Sequence, residues 1–279
     1  MKSIMNNTQI AFIGAGNMAT SLIGGLIADG HDPARIQASD PDQEQLSRLA
    51  ARFGIRVASD NAAALAGAGV VVLAVKPQVL EAVARELAPG LRKQRPLLIS
   101  IAAGVREEDL LNWLGGGLPL VRGMPNTPAM VQSGASVLHA SPEVSEAQKN
   151  LAESIMRAVG ITQWVDDEAL MDAVTALSGS GPAYFFLIME AMSQAGEELG
   201  LSRETAQLLT LQTALGAARM AIESSETPEH LRHRVTSPGG TTERALEVLE
   251  QGGVRDLFRD ALQAARDRSR DLSQMLGNQ

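Results

Sequence analysis

The sequence predicts an α/β chain in two parts: an N-terminal domain over residues 1–166 built on a doubly wound, mainly parallel sheet, then an all-α domain over residues 167–279. Three observations carry this reading. Short apolar runs alternate with helical patterns through the first half, as they do in βαβ units. A glycine-rich turn, Gly14-Ala15-Gly16, separates the first such run from the first helical pattern. From about Asp167 the strand-like runs cease and long helical patterns take over.

The candidate strands are Gln9–Ile13, Ile36–Ser39, Arg56–Ala58, Val70–Val75, Pro96–Ile101 and Leu120–Arg122. A near-continuous apolar run such as Val70–Val75 fits a strand covered by helices on both faces. Helices are expected at Asn17–Asp29, Asp42–Phe53, Asn61–Ala66 and Pro77–Leu87. Asp40-Pro41 supplies an N-cap followed by proline at the first helical position, and Gly30 and Gly54 stand where helices end. Short strands near Ala135–His139 and Thr162–Val165 should flank a helix over Ser145–Val159. Beyond them the helical patterns cover Glu168–Leu177, Pro182–Leu199, Arg203–Ile222, Thr241–Glu250 and Leu257–Leu276. The run Tyr184–Met189 is apolar nearly all round, so its helix should be buried on most faces, and completion of that core across a subunit interface is the expectation.

Composition removes several function classes. The chain has no cysteine, which excludes disulfides, thiolate metal sites and cysteine nucleophiles. A net charge of −8 argues against a nucleic-acid surface, which needs clustered Lys and Arg. The longest uncharged apolar run, Ala62 to Val75, is 14 residues and stops at Lys76, too short for a membrane span. Met1 to Thr8 lacks the apolar stretch of a secretory signal, so a cytoplasmic protein is expected. His230 and His233 are three apart on an expected helix, but no third ligand joins them, and all four histidines (His31, His139, His230, His233) read as solvated or capping residues rather than a metal site.

Gly14-Ala15-Gly16-Asn17-Met18-Ala19 follows a strand and opens a helix, the context in which a GxGxxG/A pattern points to a Rossmann dinucleotide site. Gly14 permits the tight turn, Gly16 lets the backbone approach a pyrophosphate, and Asn17 and Met18 begin the helix whose free N–H groups would face it. The second strand ends Ala38-Ser39-Asp40, and Asp40 lies 24 positions after Gly16. A carboxylate there hydrogen-bonds a ribose 2′-hydroxyl and repels a 2′-phosphate, whereas Ser39 can donate to that phosphate, so both NADH and NADPH stay open. At the end of the fourth strand, Ala74-Val75-Lys76-Pro77 places backbone and one cation at the ligand-binding edge of the sheet.

Three further segments have no evident packing role: Met124–Pro128, Leu177–Tyr184 and Val235–Thr242. The second, with Ser178-Gly179-Ser180-Gly181, is not a hydrolase nucleophile elbow, because GxSxG requires glycine at 178 and a preceding strand; it reads as a turn feeding a helix. In the third, Ser237-Pro238-Gly239-Gly240-Thr241-Thr242 sets two glycines before a helix, where N–H groups and hydroxyls can converge on a small anion such as a carboxylate.

Taken together, Phe12–Ala19, Ala74–Pro77, Ala102-Ala103-Gly104, Asn126-Thr127-Pro128, Leu177–Tyr184 and Ser237–Thr242 closely resemble the pyrroline-5-carboxylate reductase family, over residues from about 9 to about 275. The resemblance implies a Rossmann domain, an all-α C-terminal dimerisation domain, and homodimers that in some members assemble into a decamer. It implies reduction of 1-pyrroline-5-carboxylate to L-proline with NADPH or NADH. It also implies that the loop at Lys76-Pro77, the turn at Ala102-Ala103 and Asn126 line the coenzyme. Ser178 and residues 236–242 would serve the substrate, with Thr242 contacting its ring nitrogen, in a site built between the Rossmann domain of one subunit and helices of its partner.

Hydride transfer to a C=N carbon requires orientation above all, and no Asp, Glu, His or Lys in these loops reads as a general acid. The proton would arrive on the substrate or through Thr242. A hydroxyacid dehydrogenase would need a cation near a hydroxyl, yet the helical half has no lysine after Lys149. A coenzyme sensor would have no use for a second anion site.

Overall fold

A computed structural model describes residues 8–277. The first strands and helices are β1 (Ile10–Ile13), α1 (Asn17–Ala28), β2 (Ile36–Ser39), α2 (Gln43–Phe53), β3 (Arg56–Val57), α3 (Asn61–Ala64), β4 (Val70–Leu73) and α4 (Pro77–Gln94). They are followed by β5 (Leu97–Ser100), α5 (Glu107–Leu114), β6 (Leu120–Met124), β7 (Gly134–Ala140), α6 (Glu146–Arg157) and β8 (Gly160–Trp164). The strands form one 8-stranded sheet in the order β3-β2-β1-β4-β5-β6-β7-β8. Only β6 and β7 pair antiparallel, as befits strands joined by a short connection rather than a crossover helix.

Each central strand is buried along its whole length, which is why its sequence is a continuous apolar run rather than an alternating one. Phe12, Val70, Val72 and Ile99 point into one core with Leu22, Leu26 and Ile155. Ile13, Val71, Leu73 and Leu98 point into the other with Leu80, Leu87 and Leu114. The chain after β1 moves to β2 on one side and returns to β4 on the other, so the sheet's switch point lies at the end of β1.

The sequence reading missed α5, whose N-cap is Arg106 rather than a Ser, Thr, Asp or Asn. It also stopped α4 seven residues early, although Pro89 sits inside that helix without ending it. The expected helix over Glu168–Leu177 is broken into a 3-10 turn (Glu168–Leu170), a short α7 (Met171–Val174) and a π-helical turn (Thr175–Gly179). His31 is buried inside the fold and His139 lies in β7 with Nδ1 3.2 Å from the Val165 carbonyl, so neither is the solvated or capping residue expected.

Beyond β8 the helices are α7, α8 (Gly181–Glu198), α9 (Arg203–Glu223), α10 (Pro228–Arg234), α11 (Thr241–Gln251) and α12 (Val254–Gly277). No helix among the described residues is long and apolar enough to cross a membrane. By compactness the chain divides after Ser180 rather than at the expected 166/167, and residues from Ala265 onward belong with the first unit. The reason is local packing. Ser269 donates to Asp172 Oδ1 at 2.7 Å, Arg270 pairs with Asp172, and Leu272 and Leu276 lie against Gly104.

The second unit, residues 181–264, is helical. In it α8 and α9 pack closely enough that a side chain at Gly196 would come within 3.2 Å of Ala206 Cβ. The expected burial of the Tyr184–Met189 run is not achieved within one chain: Phe185, Phe186 and Leu187 are 63%, 63% and 65% exposed.

Candidate active site

The strand register gathers the ends of β1, β2, β4 and β5 at one edge, since Ile13 pairs with Ser39 and Leu73, and Leu73 with Ser100. The loops that follow these strands therefore lie side by side: Gly14–Gly16, Asp40, Ala74–Pro77 and Ala102–Gly104. Gly14 has φ +100, and a Cβ there would fall 2.8 Å from the carbonyl carbon and oxygen of Ala74, so only glycine fits. Its N–H donates to the Ser39 carbonyl at 2.8 Å. Gly16 is the N-cap of α1, has no side-chain cap, and faces space with nothing within 4 Å of where a Cβ would stand. Asn17 is exposed, Met18 is half-buried, and Ala19 is buried against the sheet.

The turn is held from outside. Ala15 N–H donates to Asp40 Oδ2 at 2.7 Å, and Gln45 Nε2 donates to the Ala15 carbonyl at 2.9 Å. Asp40 Oδ1 accepts the N–H of Asp42 at 2.9 Å. The N-cap expected of Asp40 falls instead to Asp42, which accepts from Gln45 N–H and opens α2. Ser39 is buried, and its hydroxyl donates to Asn61 Oδ1 at 2.8 Å. Sequence reasoning assigned neither Gln45 nor Asn61 to the site, because a polar residue in the first turn of a helix carries no signal of what it faces.

Ala74 and Val75 are half-buried, Lys76 is exposed as the N-cap of α4, and Pro77 is its first residue. Ala102 is buried and Ala103 exposed. Asn126 Oδ1 accepts the N–H of Ala135 at 2.9 Å, and its Nδ2 donates to the Ser178 carbonyl at 3.1 Å. The Ser178 hydroxyl donates to the Val174 carbonyl at 3.1 Å.

The remaining candidates belong to the second unit. Gly239 has φ +69, Gly240 is the N-cap of α11 without a side-chain cap, and Gly240 N–H donates to the Ser237 carbonyl at 2.9 Å. Ser237, Thr241 and Thr242 are exposed. Gly239 N–H donates to Glu243 Oε2 at 2.6 Å, so this turn already holds one carboxylate, from its own chain. Glu243 was missed, although a glutamate three residues into a helix is a known partner of N-terminal N–H groups.

A buried charged group lies on β6 and its neighbours. Arg122 pairs with Glu168, which also accepts the N–H of Glu107 at 2.6 Å. The Glu107 carboxylate is 3.3 Å from His139 Nε2. Burial pushes the Glu107 carboxyl above the usual range, and the nearby Glu168 adds to the push while His139 opposes it. Among the described residues no group of three or more His, Asp or Glu is arranged to hold a metal.

A family profile described as pyrroline-5-carboxylate reductase dimerisation matches residues 168–272, and one described as NADP oxidoreductase coenzyme F420-dependent matches residues 9–104. A pyrroline-5-carboxylate reductase of Pseudomonas aeruginosa is 56% identical over 273 residues, 98% of this chain and all of that protein. The structure of a pyrroline-5-carboxylate reductase from Coxiella burnetii superposes with a TM-score of 0.92 at 50% identity, over 95% of this chain and 98% of that one. That of Plasmodium falciparum pyrroline carboxylate reductase with NADP bound does so with a TM-score of 0.85 at 29% identity, over 96% and 99%.

Proposed function

The chain belongs to the pyrroline-5-carboxylate reductase family, and on that premise we propose that in the cytoplasm it reduces 1-pyrroline-5-carboxylate to L-proline, the last step of proline biosynthesis, with NADPH or NADH as donor. The observation that supports this best is a pair of bare helix N-termini, at Gly16 and at Gly240, one for a pyrophosphate and one for a carboxylate. The coenzyme, when bound, supplies the hydride.

Gly14, Gly16, Asn17 and Met18 take the pyrophosphate, Ser39 and Asp40 meet the adenosine ribose, and Ala74, Val75, Lys76, Pro77, Ala102 and Ala103 line the rest of the coenzyme, whereas Asn126, engaged with backbone at both ends of its amide, is left out of that lining. The open space at Gly16 and the contact of Gly14 with Ala74 fit that assignment. Ser178, Ser237, Gly239, Gly240 and Thr241 serve the substrate, and the Thr242 hydroxyl contacts its ring nitrogen. The exposed apolar face of α8 makes the homodimer. A decamer of such dimers, formed by some members of the family, is the larger assembly that light scattering would distinguish from it.

The test is coenzyme oxidation with and without the imine. Oxidation should require pyrroline-5-carboxylate, and robust turnover of a 2-hydroxy or 3-hydroxy acid with none of the imine would overturn the assignment. Thr242→Ala should lower kcat and kcat/KM by roughly five-fold to a hundred-fold, the loss of one hydrogen bond of about 1–3 kcal/mol, and leave coenzyme affinity nearly unchanged.

A further inference from the structure

The segment from Glu168 to Ser180 is tied to β6 at both ends. At its start the buried Arg122 pairs with Glu168. At its far end Asn126, two residues past β6, reaches from the Ala135 N–H to the Ser178 carbonyl, at 2.9 and 3.1 Å. The side chain of Met124, the last residue of β6, lies so close to Gly179 that a Cβ there would meet Met124 Cε at 2.5 Å. Between these points the chain makes a π turn, closed by Ser180 N–H donating to the Thr175 carbonyl five residues back, at 2.8 Å.

A single π turn inside helical structure is rare and tends to mark functional positions. Here the sequence supplies a reason for an external support. In an α-helical turn the Ser178 carbonyl would accept from residue 182, which is Pro182 and has no N–H. Its partner comes from the Asn126 amide instead. The Asn126 oxygen is fixed in turn by Ala135 at the start of β7, so a rigid strand sets where the turn lies.

We propose that Asn126 is a positioning residue of the reductase, holding the π turn, and with it Ser178, Gly179 and Ser180, in place at the carboxyl edge of the sheet. The inference rests on the proposed reaction and departs from a direct coenzyme contact by Asn126, since both ends of its amide are engaged with backbone. Asn126→Ala removes both bonds. Asn126→Asp keeps the acceptor for Ala135 and loses the donor, but its protonated form is nearly isosteric with the amide and can donate O–H to Ser178. That carboxyl, facing a carbonyl in a half-buried site, should titrate above the usual aspartate range.

The experiment measures kcat and KM for the imine and the coenzyme Kd, for wild type, Asn126→Ala and Asn126→Asp, across pH 5 to 8. A small displacement of a positioning element can cost on the order of a hundred-fold in rate. Both variants should therefore lose at least ten-fold in kcat at neutral pH, with coenzyme Kd within about two-fold. The kcat of Asn126→Asp relative to wild type should climb as pH falls, a recovery that a purely structural defect would not give. A variant-to-wild-type ratio flat with pH, or a weakened coenzyme with kcat intact at saturation, would overturn the proposal. If Asn126→Ala does not fold, the Asp variant carries the same test alone. A wild-type enzyme inactive on the imine would sink the proposed reaction itself, a result separable from any difference between variants.

Discussion

Glu243 should restrain substrate binding, and removing it should tighten KM, the reverse of what losing an active-site contact usually does. Its carboxylate accepts the Gly239 N–H at 2.6 Å, within the turn assigned to the substrate carboxylate. Substrate must displace that oxygen or bind beside a like charge. An exposed hydrogen bond to a charged acceptor contributes about 1 kcal/mol after screening, so its absence should lower KM for the imine about five-fold. The assay is initial-rate kinetics at saturating coenzyme on Glu243→Ala and Glu243→Gln. The alanine variant should show the full fall in KM with kcat nearly unchanged, and the glutamine variant an intermediate one, because a neutral amide oxygen still accepts from Gly239. The effect should shrink at high salt. The alanine variant should also melt lower, since a carboxylate in the first turn favours the helix by about 0.3–1 kcal/mol. Unchanged or raised KM alongside the lower Tm would reduce Glu243 to a helix cap and refute the reasoning.

Gly14→Ala places a Cβ 2.8 Å from backbone atoms of Ala74 at a φ of +100, and should weaken coenzyme binding at least ten-fold by fluorescence titration; wild-type affinity would remove the close approach from the argument. Glu107 has its carboxyl raised above the unfolded value, chiefly by burial, so the folded state binds the extra proton and stability falls as pH rises from the ordinary glutamate range through the raised one. Glu107→Gln should remove that slope, making its Tm relative to wild type more favourable at pH 7 than at pH 4.5; a constant difference would contradict the shift. Phe185→Glu, on the exposed face of α8, should move the protein toward a species of one chain in light scattering, and an unaltered mass would place the self-association surface elsewhere.

The parallel core could be read in the sequence because burial on both faces leaves a run such as Val70–Leu73 with no polar position to confuse its length. Asp42 displaced Asp40 as the cap of α2, and nothing local separates two aspartates two residues apart; the choice was made by Ala15, which takes Asp40 from 25 residues away. The same distance effect hid α5. Its first N–H is satisfied by Glu168, 61 residues on, so no capping residue appears where one was sought. The helical pattern over Glu168–Leu177 carries no marker of a π turn, and the two groups that bear on the Ser178 carbonyl, Pro182 without an N–H and Asn126 as its donor, lie outside the window that defines the pattern. Apolar positions at Phe185, Phe186 and Leu187 were correctly seen as needing cover, but one chain does not provide it.

Helix caps separate the parts of this chain that only hold the fold from those assigned to ligands. The starts of α2, α3, α6, α9 and α10 are closed by their own Asp42, Asp60, Ser145, Ser202 and Thr227, each accepting an N–H of the first turn. A helix end that satisfies itself has little left to offer an anion. By contrast α1, α4 and α11 begin at Gly16, Lys76 and Gly240 with no side-chain cap, and all three lie in segments assigned to coenzyme or substrate. The uncapped α5 does not break the pattern, since the Glu168 carboxylate takes its N–H and is itself neutralised by Arg122. Leaving out a cap costs about 1 kcal/mol of helix stability at each end, a cost that a bound phosphate or carboxylate would repay at the ends assigned to coenzyme and substrate. Glu243 is the intermediate case: it reaches past the helix start to Gly239, steadying the turn while the end is bare, yet from a half-buried side chain through one exposed hydrogen bond that a substrate carboxylate would displace. The restraint expected on KM follows from that arrangement, because whatever stabilises the turn in the absence of substrate has to be given up when substrate binds.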